Sequence, residues 1–151
     1  MLRALNMCVI GALAIGLGPV ACADPSPCAG VEPFEMRTIS VGTCPLNAEV
    51  AQSPRQIACG LMHRESLAED AGMLFLLDPK RKTSFWMKNT LIPLDIVYLD
   101  AVGRVLQVNR GVPQDRTWIA APDGTAFALE TNPGKLAQCG LGPGATIDLS
   151  G

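Results

Sequence analysis

Three apolar runs, Met73-Leu74-Phe75-Leu76-Leu77, Thr83-Ser84-Phe85-Trp86-Met87 and Leu94-Asp95-Ile96-Val97-Tyr98-Leu99, decide the fold class. Each is short, and each stops in turn chemistry: Asp78-Pro79, the polar Lys88-Asn89-Thr90, and Asp100-Ala101-Val102-Gly103. Apolar runs of this length, bounded by Pro, Gly and Asp, read as strands rather than helices. The same pattern extends outward in both directions. Upstream lie Phe34 to Val41 and Leu46 to Ala51, divided by Gly42-Thr43-Cys44-Pro45. Downstream lie Val105 to Val108, Thr117 to Ala120, Thr125 to Glu130 and Thr146 to Leu149. Many short strands and few helices predict a mainly β single domain, a β-sandwich or small barrel with one or two short helices.

Two helical signals interrupt the strands. Ser53-Pro54 supplies a hydroxyl N-cap followed by proline at the first helical position, where its missing N–H costs nothing. This predicts a helix to about Met62. Ser66, with Glu69 three residues on, has the spacing of a capping box, and Gly72 is placed to end that short turn.

The chain has 151 residues, 48% hydrophobic and 17% charged, which suits one globular domain. Residues 1–23 read as an export signal: a short basic start at Arg3, an apolar stretch from Val9 to Leu17, then Ala21-Cys22-Ala23 in an A-x-A arrangement. Cleavage after Ala23 leaves 11 basic against 14 acidic side chains, a net charge of −3. That balance, with no Lys/Arg cluster beyond Lys80-Arg81-Lys82, argues against nucleic acid as a partner. Residues 24–33 form a Pro-rich linker, ordered only if Cys28 ties it down, and 34–151 form the domain. The expectation is an exported, periplasmic or secreted monomer with no membrane span after cleavage. Retention of 4–23 as an anchor and lipidation of Cys22 are the competing readings.

Export turns four cysteines, Cys28, Cys44, Cys59 and Cys139, into candidates for two disulfides with three possible pairings. The short sequence distance between Cys44 and Cys59 favours that pair, leaving Cys28 with Cys139.

The polar run after Trp86-Met87 is where chemistry is expected. Lys88, Asn89 and Thr90 bring donors that cannot be buried without partners. They could line a pocket floored by Trp86 and Met87, with Asp95 and Glu130 facing them; an apolar floor with a few convergent polar groups is what a small ligand needs. In the plainer reading Asn89 and Thr90 bond their own backbone in a tight turn, while Lys88 pairs with Asp95 or Glu130. Arg64, just past the first helix, can hold a carboxylate in bidentate fashion, either for a ligand or for Glu69, Asp95 or Glu130. Trp118 belongs to another strand and reads as core or rim.

Other chemistry finds less support. Met62, Met73 and Met87 would have to converge with His63 to hold Cu(I), but no Met-x-Met or His-x-x-Met cluster is present, and methionine fills core gaps readily. Cys59 and His63 stand four residues apart and could share a helix face as a nucleophile–base pair, against the expectation that Cys59 is oxidised. Asp95 with Glu130 is the remaining acid–base pair, if a pocket separates them suitably. No hydrolase, phosphate-loop or metal-ligand motif appears, so no catalytic residue, metal or cofactor is expected.

Three ordered motifs carry a resemblance. Gly60-Leu61-Met62-x-Arg64, Gly72-Met73-Leu74-Phe75, and Phe85-Trp86-Met87-Lys88-Asn89-Thr90-x-x-Pro93-Leu94-Asp95-Ile96 resemble the "domain of unknown function 192" family of exported bacterial proteins, as does the later Leu129-Glu130-x-x-x-Gly134. The match runs over roughly Phe34 to Leu149. His63 stands where an aromatic is common, and Gly144-Ala145 replaces the usual Gly-Asp. The resemblance implies a compact β-sandwich of jelly-roll-like character and no established activity. The resulting expectation is a binding module for an unknown small molecule. A structural or protein-interaction module without a ligand site is the alternative, and an enzyme a third reading.

Overall fold

The computed structural model describes residues 28–150, and the elements, pairs and clusters counted are those of these described residues. The expected export segment 1–23, with Cys22, and residues 24–27 of the linker lie outside them. The fold is mainly β. Strands β1 (Glu35–Val41) and β2 (Cys44–Ala51) lead to helix α1 (Pro54–Cys59) and strand β3 (Ala71–Leu76). Then come β4 (Ser84–Phe85), β5 (Leu94–Leu99), β6 (Val105–Gly111), β7 (Ile119–Ala120), β8 (Phe127–Thr131) and helix α2 (Lys135–Gln138).

Six strands make one open sheet in the order β1-β2-β3-β8-β5-β6, while β4 and β7 pair separately as a two-stranded ribbon. The sheet does not close into a barrel. Only β2 and β3 run parallel, because α1 carries the chain back across the sheet between them. Its end is set by sequence: Ser53 Oγ accepts from Gln56 N while the Gln56 side chain accepts from Ser53 N, a reciprocal cap, and Pro54 occupies the first turn.

The central strands β3, β5 and β8 are apolar on both sides, and alternation sends their side chains to two cores. Leu74, Val97, Leu99 and Leu129 face one core, closed by Leu136, Cys139 and Ile147. Met73, Phe75, Ile96, Tyr98 and Ala128 face the other, closed by Leu61, Phe85, Met87 and Ile92. All six β5 side chains are buried, which is why its sequence shows no in–out alternation.

Several boundaries differ from the sequence reading. Helix α1 stops at Cys59, because Gly60 adopts a positive φ of 49° and turns the chain away. Gly72 terminates nothing; it lies inside β3, where a Cβ would stand 2.9 Å from the Glu130 carbonyl and from Leu46 Cδ2, so only glycine permits this approach. Residues 146–149 make single bridges, Arg104 with Thr146 and Ser40 with Asp148, rather than a strand. Helix α2 was not foreseen.

The preferred disulfide pairing is corrected. Cys28 bonds Cys59 and Cys44 bonds Cys139. Cys44 opens β2 and Cys59 lies beyond its far end, so a strand of eight residues, about 26 Å long, separates them. A disulfide needs Cα atoms within about 7 Å. Instead α2 brings Cys139 under the β1–β2 turn, where Thr43 N donates to its carbonyl at 3.2 Å. The other bond anchors residues 28–33 on α1, helped by the Gln56 amide, which donates to the carbonyls of Glu32 and Pro33.

Candidate functional site

A cleft of about 330 Å³ opens beside the second core. It lies between the end of α1 with the following residues 60–62, strand β3, and the segment from Thr83 to Thr90. Leu61, Phe75 and Phe85 are buried and form its floor, whereas Ala58, Ser84 and Trp118 are exposed and mark its mouth. Phe75 and Phe85 meet edge to face at 5.1 Å, which fixes the floor rings.

Glu130 lies on this floor. It sits on the middle strand β8, opposite Met73 of β3 and Ile96 of β5, on the face of the second core. Its residue is 5% exposed. Its carboxyl forms no hydrogen bond or ion pair with any described residue, yet no sealed side-chain oxygen or nitrogen lacks a partner, so the carboxyl must open on the cleft that it lines. Burial among apolar side chains disfavours the ionised form and raises its pKa from the ordinary 4.5 to about 8.

The polar run wraps the opposite side. Trp86 stacks on Trp118 with ring centres 4.4 Å apart, and the Lys88 ammonium lies 4.9 Å from the Trp86 ring centre. Lys88 is thus held as a cation over an aromatic face rather than paired with a carboxylate. Asn89 has a positive φ of 60°, which its short polar side chain tolerates, and its carbonyl accepts from His63 N at 2.8 Å. Its amide reaches the Met62 sulfur at 4.0 Å, and Thr90 N closes a turn onto the Met87 carbonyl. Among the described lining residues Glu130 is the one acid and Lys88 the one cation.

Of the eight residues singled out from sequence, Trp86, Lys88, Asn89, Thr90 and Glu130 come together around the cleft. Three do not. Met87 points the other way, its sulfur 2.5 Å from where a Cβ on Gly111 would lie, and so fills the core beneath β6. Asp95 cannot face Glu130. It pairs in register with Thr131, one residue along β8, and strand alternation puts it on the opposite side of the sheet. There it accepts from Arg110 Nε at 2.7 Å and from Gly134 N at 2.6 Å, holding the turn before α2. Arg64 grips Glu49 with both guanidinium nitrogens, the second at 2.7 Å, a partner not among those anticipated. This pair is part-exposed, so replacing Arg64 with alanine is expected to lower stability by about 1 kcal/mol, measured by urea unfolding. Adding Glu49→Gln to that variant should cost little more, because the two side chains share one interaction.

Two further readings end here. Cys59 is bonded to Cys28, and α1 stops before His63, so no thiolate–imidazole pair exists. The Asp95–Glu130 acid–base pair is split across the sheet. No three His, Cys, Asp or Glu side chains converge to hold a metal among the described residues. Phe75, Phe85 and Trp118 are the site residues that the sequence reading missed. Trp118 immediately precedes β7, whose pairing with the Ser84–Phe85 strand brings it against Trp86.

The DUF192 family model, described as an uncharacterized ACR, matches residues 37–149. The chain belongs to the DUF192 family. The matched span includes both Glu130 and the Trp86–Thr90 run. A crystal structure of a protein of unknown function from Novosphingobium aromaticivorans DSM 12444 is similar, with 30% identity, a TM-score of 0.71, and coverage of 83% of this chain and 99% of that one. The crystal structure of a "putative transcription regulator" from Sinorhizobium meliloti 1021 is similar at 29% identity and a TM-score of 0.70, over 79% of this chain and 97% of that one. No curated protein matches the chain. Both neighbours are single small domains covered almost end to end.

Proposed function

We propose that this DUF192 protein is an exported binding module whose cleft takes a small organic molecule with an apolar body and one polar head group. The observation that carries this reading is Glu130, a carboxyl buried on the floor of an apolar cleft with no protein partner. A cleft of about 330 Å³ with aromatic walls and a single deep carboxyl has the size and composition of small-ligand sites. Two disulfides, and no helix long and apolar enough to cross a membrane among the described residues, are compatible with export.

Trp86 and Trp118 report on occupancy. A set of small apolar alcohols, amines and acids is expected to contain members that change tryptophan fluorescence and raise the melting temperature. Ala58→Trp, placed at the exposed mouth, should abolish both responses while leaving the unliganded melting temperature within a few degrees. No response across the set, or binding that survives the plug, would favour the structural or protein-interaction role instead.

A further inference from the structure

We infer that the cleft selects an organic cation, a primary ammonium on an apolar or aromatic body, with the ammonium seated on Glu130. This rests on the binding reading above and names the class of ligand. Three features of the site point to it.

First, a carboxyl adds over an amide a group that can carry charge. A glutamine at position 130 would offer neutral hydrogen bonding on the same floor without any ionisation penalty, so the group specific to glutamate is the carboxylate. Second, the protein supplies no counter-charge. Lys88, the one lining cation, is committed to the face of Trp86 at the rim, and Arg64 is locked on Glu49. Once ionised, a buried carboxylate must be paired, and here the counter-charge has to come from outside. Third, the surrounding walls suit a cation with an apolar body. The rings of Phe75, Phe85 and Trp118 line the same cleft, and aromatic rings attract ammonium groups more strongly once water is excluded.

The groups facing Glu130 from the packed elements fix the proton balance. On β5, Tyr98 donates its hydroxyl to the Ile119 carbonyl at 3.0 Å, and burial together with the Glu130 charge pushes its pKa upward, so it stays neutral. Met73 of β3 and Ile96 of β5 flank Glu130 and do not titrate. An incoming ammonium therefore meets a protonated Glu130 near neutral pH, and the ion pair forms as that carboxyl loses its proton to solvent. No bond other than the O–H is broken, and one proton is released per ligand bound.

The test compares 2-phenylethylamine with its neutral isostere 2-phenylethanol on the disulfide-bonded protein, by calorimetry in buffers of different ionisation enthalpy and by tryptophan fluorescence. The amine should bind at least tenfold more tightly than the alcohol at pH 8. Its affinity should rise about tenfold per pH unit between pH 6 and 7.5 and level off above pH 8. Close to one proton should be released at pH 6.5. Glu130→Gln should remove the amine's advantage over the alcohol and abolish the proton release. The proton count in the unsubstituted protein needs no variant, so the test stands even if Glu130→Gln folds poorly. Equal binding of alcohol and amine, or amine binding without proton release, would overturn the cationic class while leaving the cleft as a binding site. Failure of both probes to bind would overturn the class and the binding reading together.

Discussion

Glu130→Gln is expected to make this protein more stable at alkaline pH and to flatten its pH–stability profile. In the unfolded chain the carboxyl ionises near its ordinary value of 4.5, while in the folded protein burial holds it protonated to about pH 8. Between those values the folded state carries a proton that the unfolded state lacks. Stability contributed by this group is therefore fully present below pH 4.5 and is lost as pH rises, at up to about 1.4 kcal/mol per unit. Glutamine cannot ionise, so the variant should match the parent near pH 5 and exceed it by roughly 2–4 kcal/mol at pH 8. Urea unfolding of both proteins between pH 5 and pH 9 reads this directly. Parallel profiles would mean that the carboxyl is solvated and that the cleft floor is not dry.

The larger structural effect should come from the Cys44–Cys139 bond. It spans 95 residues, against 31 for Cys28–Cys59, and a disulfide stabilises mainly by restricting the unfolded chain within the loop it closes. Replacing both Cys44 and Cys139 with alanine is expected to cost about 4–5 kcal/mol, and to loosen α2 from the β1–β2 turn. Replacing Cys28 and Cys59 should cost about 1 kcal/mol less on loop length alone. The two alanine pairs, compared by chemical denaturation under identical conditions, give the ranking. A greater loss from the Cys28–Cys59 pair would show that anchoring residues 28–33 on α1 contributes more than loop closure does.

How much of this was legible follows from what is local. The mainly β class and the central strands could be read from short apolar runs, since each run carries its own length and its own turn residues. The Ser53-Pro54 helix start is equally local. Relations between distant segments were not legible. Asp95 and Glu130 look equivalent in sequence, each an acid in an apolar run. Whether they share a face depends on the pairing of Asp95 with Thr131, a register set by the whole sheet. Apolar residues on both faces of β5 remove the alternation that would have revealed the side.

The disulfides were missed for a related reason. Cys139 reaches Cys44 only through α2, four residues long and too short to show a helical period. At the cleft, Trp86, Lys88, Asn89 and Thr90 stood out because contiguous donors after a buried strand demand an explanation. Phe75 and Phe85 did not, because an aromatic that lines a cleft and one that fills a core leave the same mark in sequence. Arg64 was recognised as a bidentate partner, but its carboxylate, Glu49, is supplied by β2 through the parallel β2–β3 pairing.

The side-chain carboxyl resonance of Glu130, followed by carbon-13 NMR from pH 4 to pH 10, tests the buried, unpartnered acid most directly. A titration midpoint close to 8, moving down when 2-phenylethylamine is added, is the result expected here. A midpoint between 4 and 5 in the unliganded protein would contradict it, since a carboxyl that titrates like a solvated one neither shapes the cleft floor nor waits there for a counter-ion.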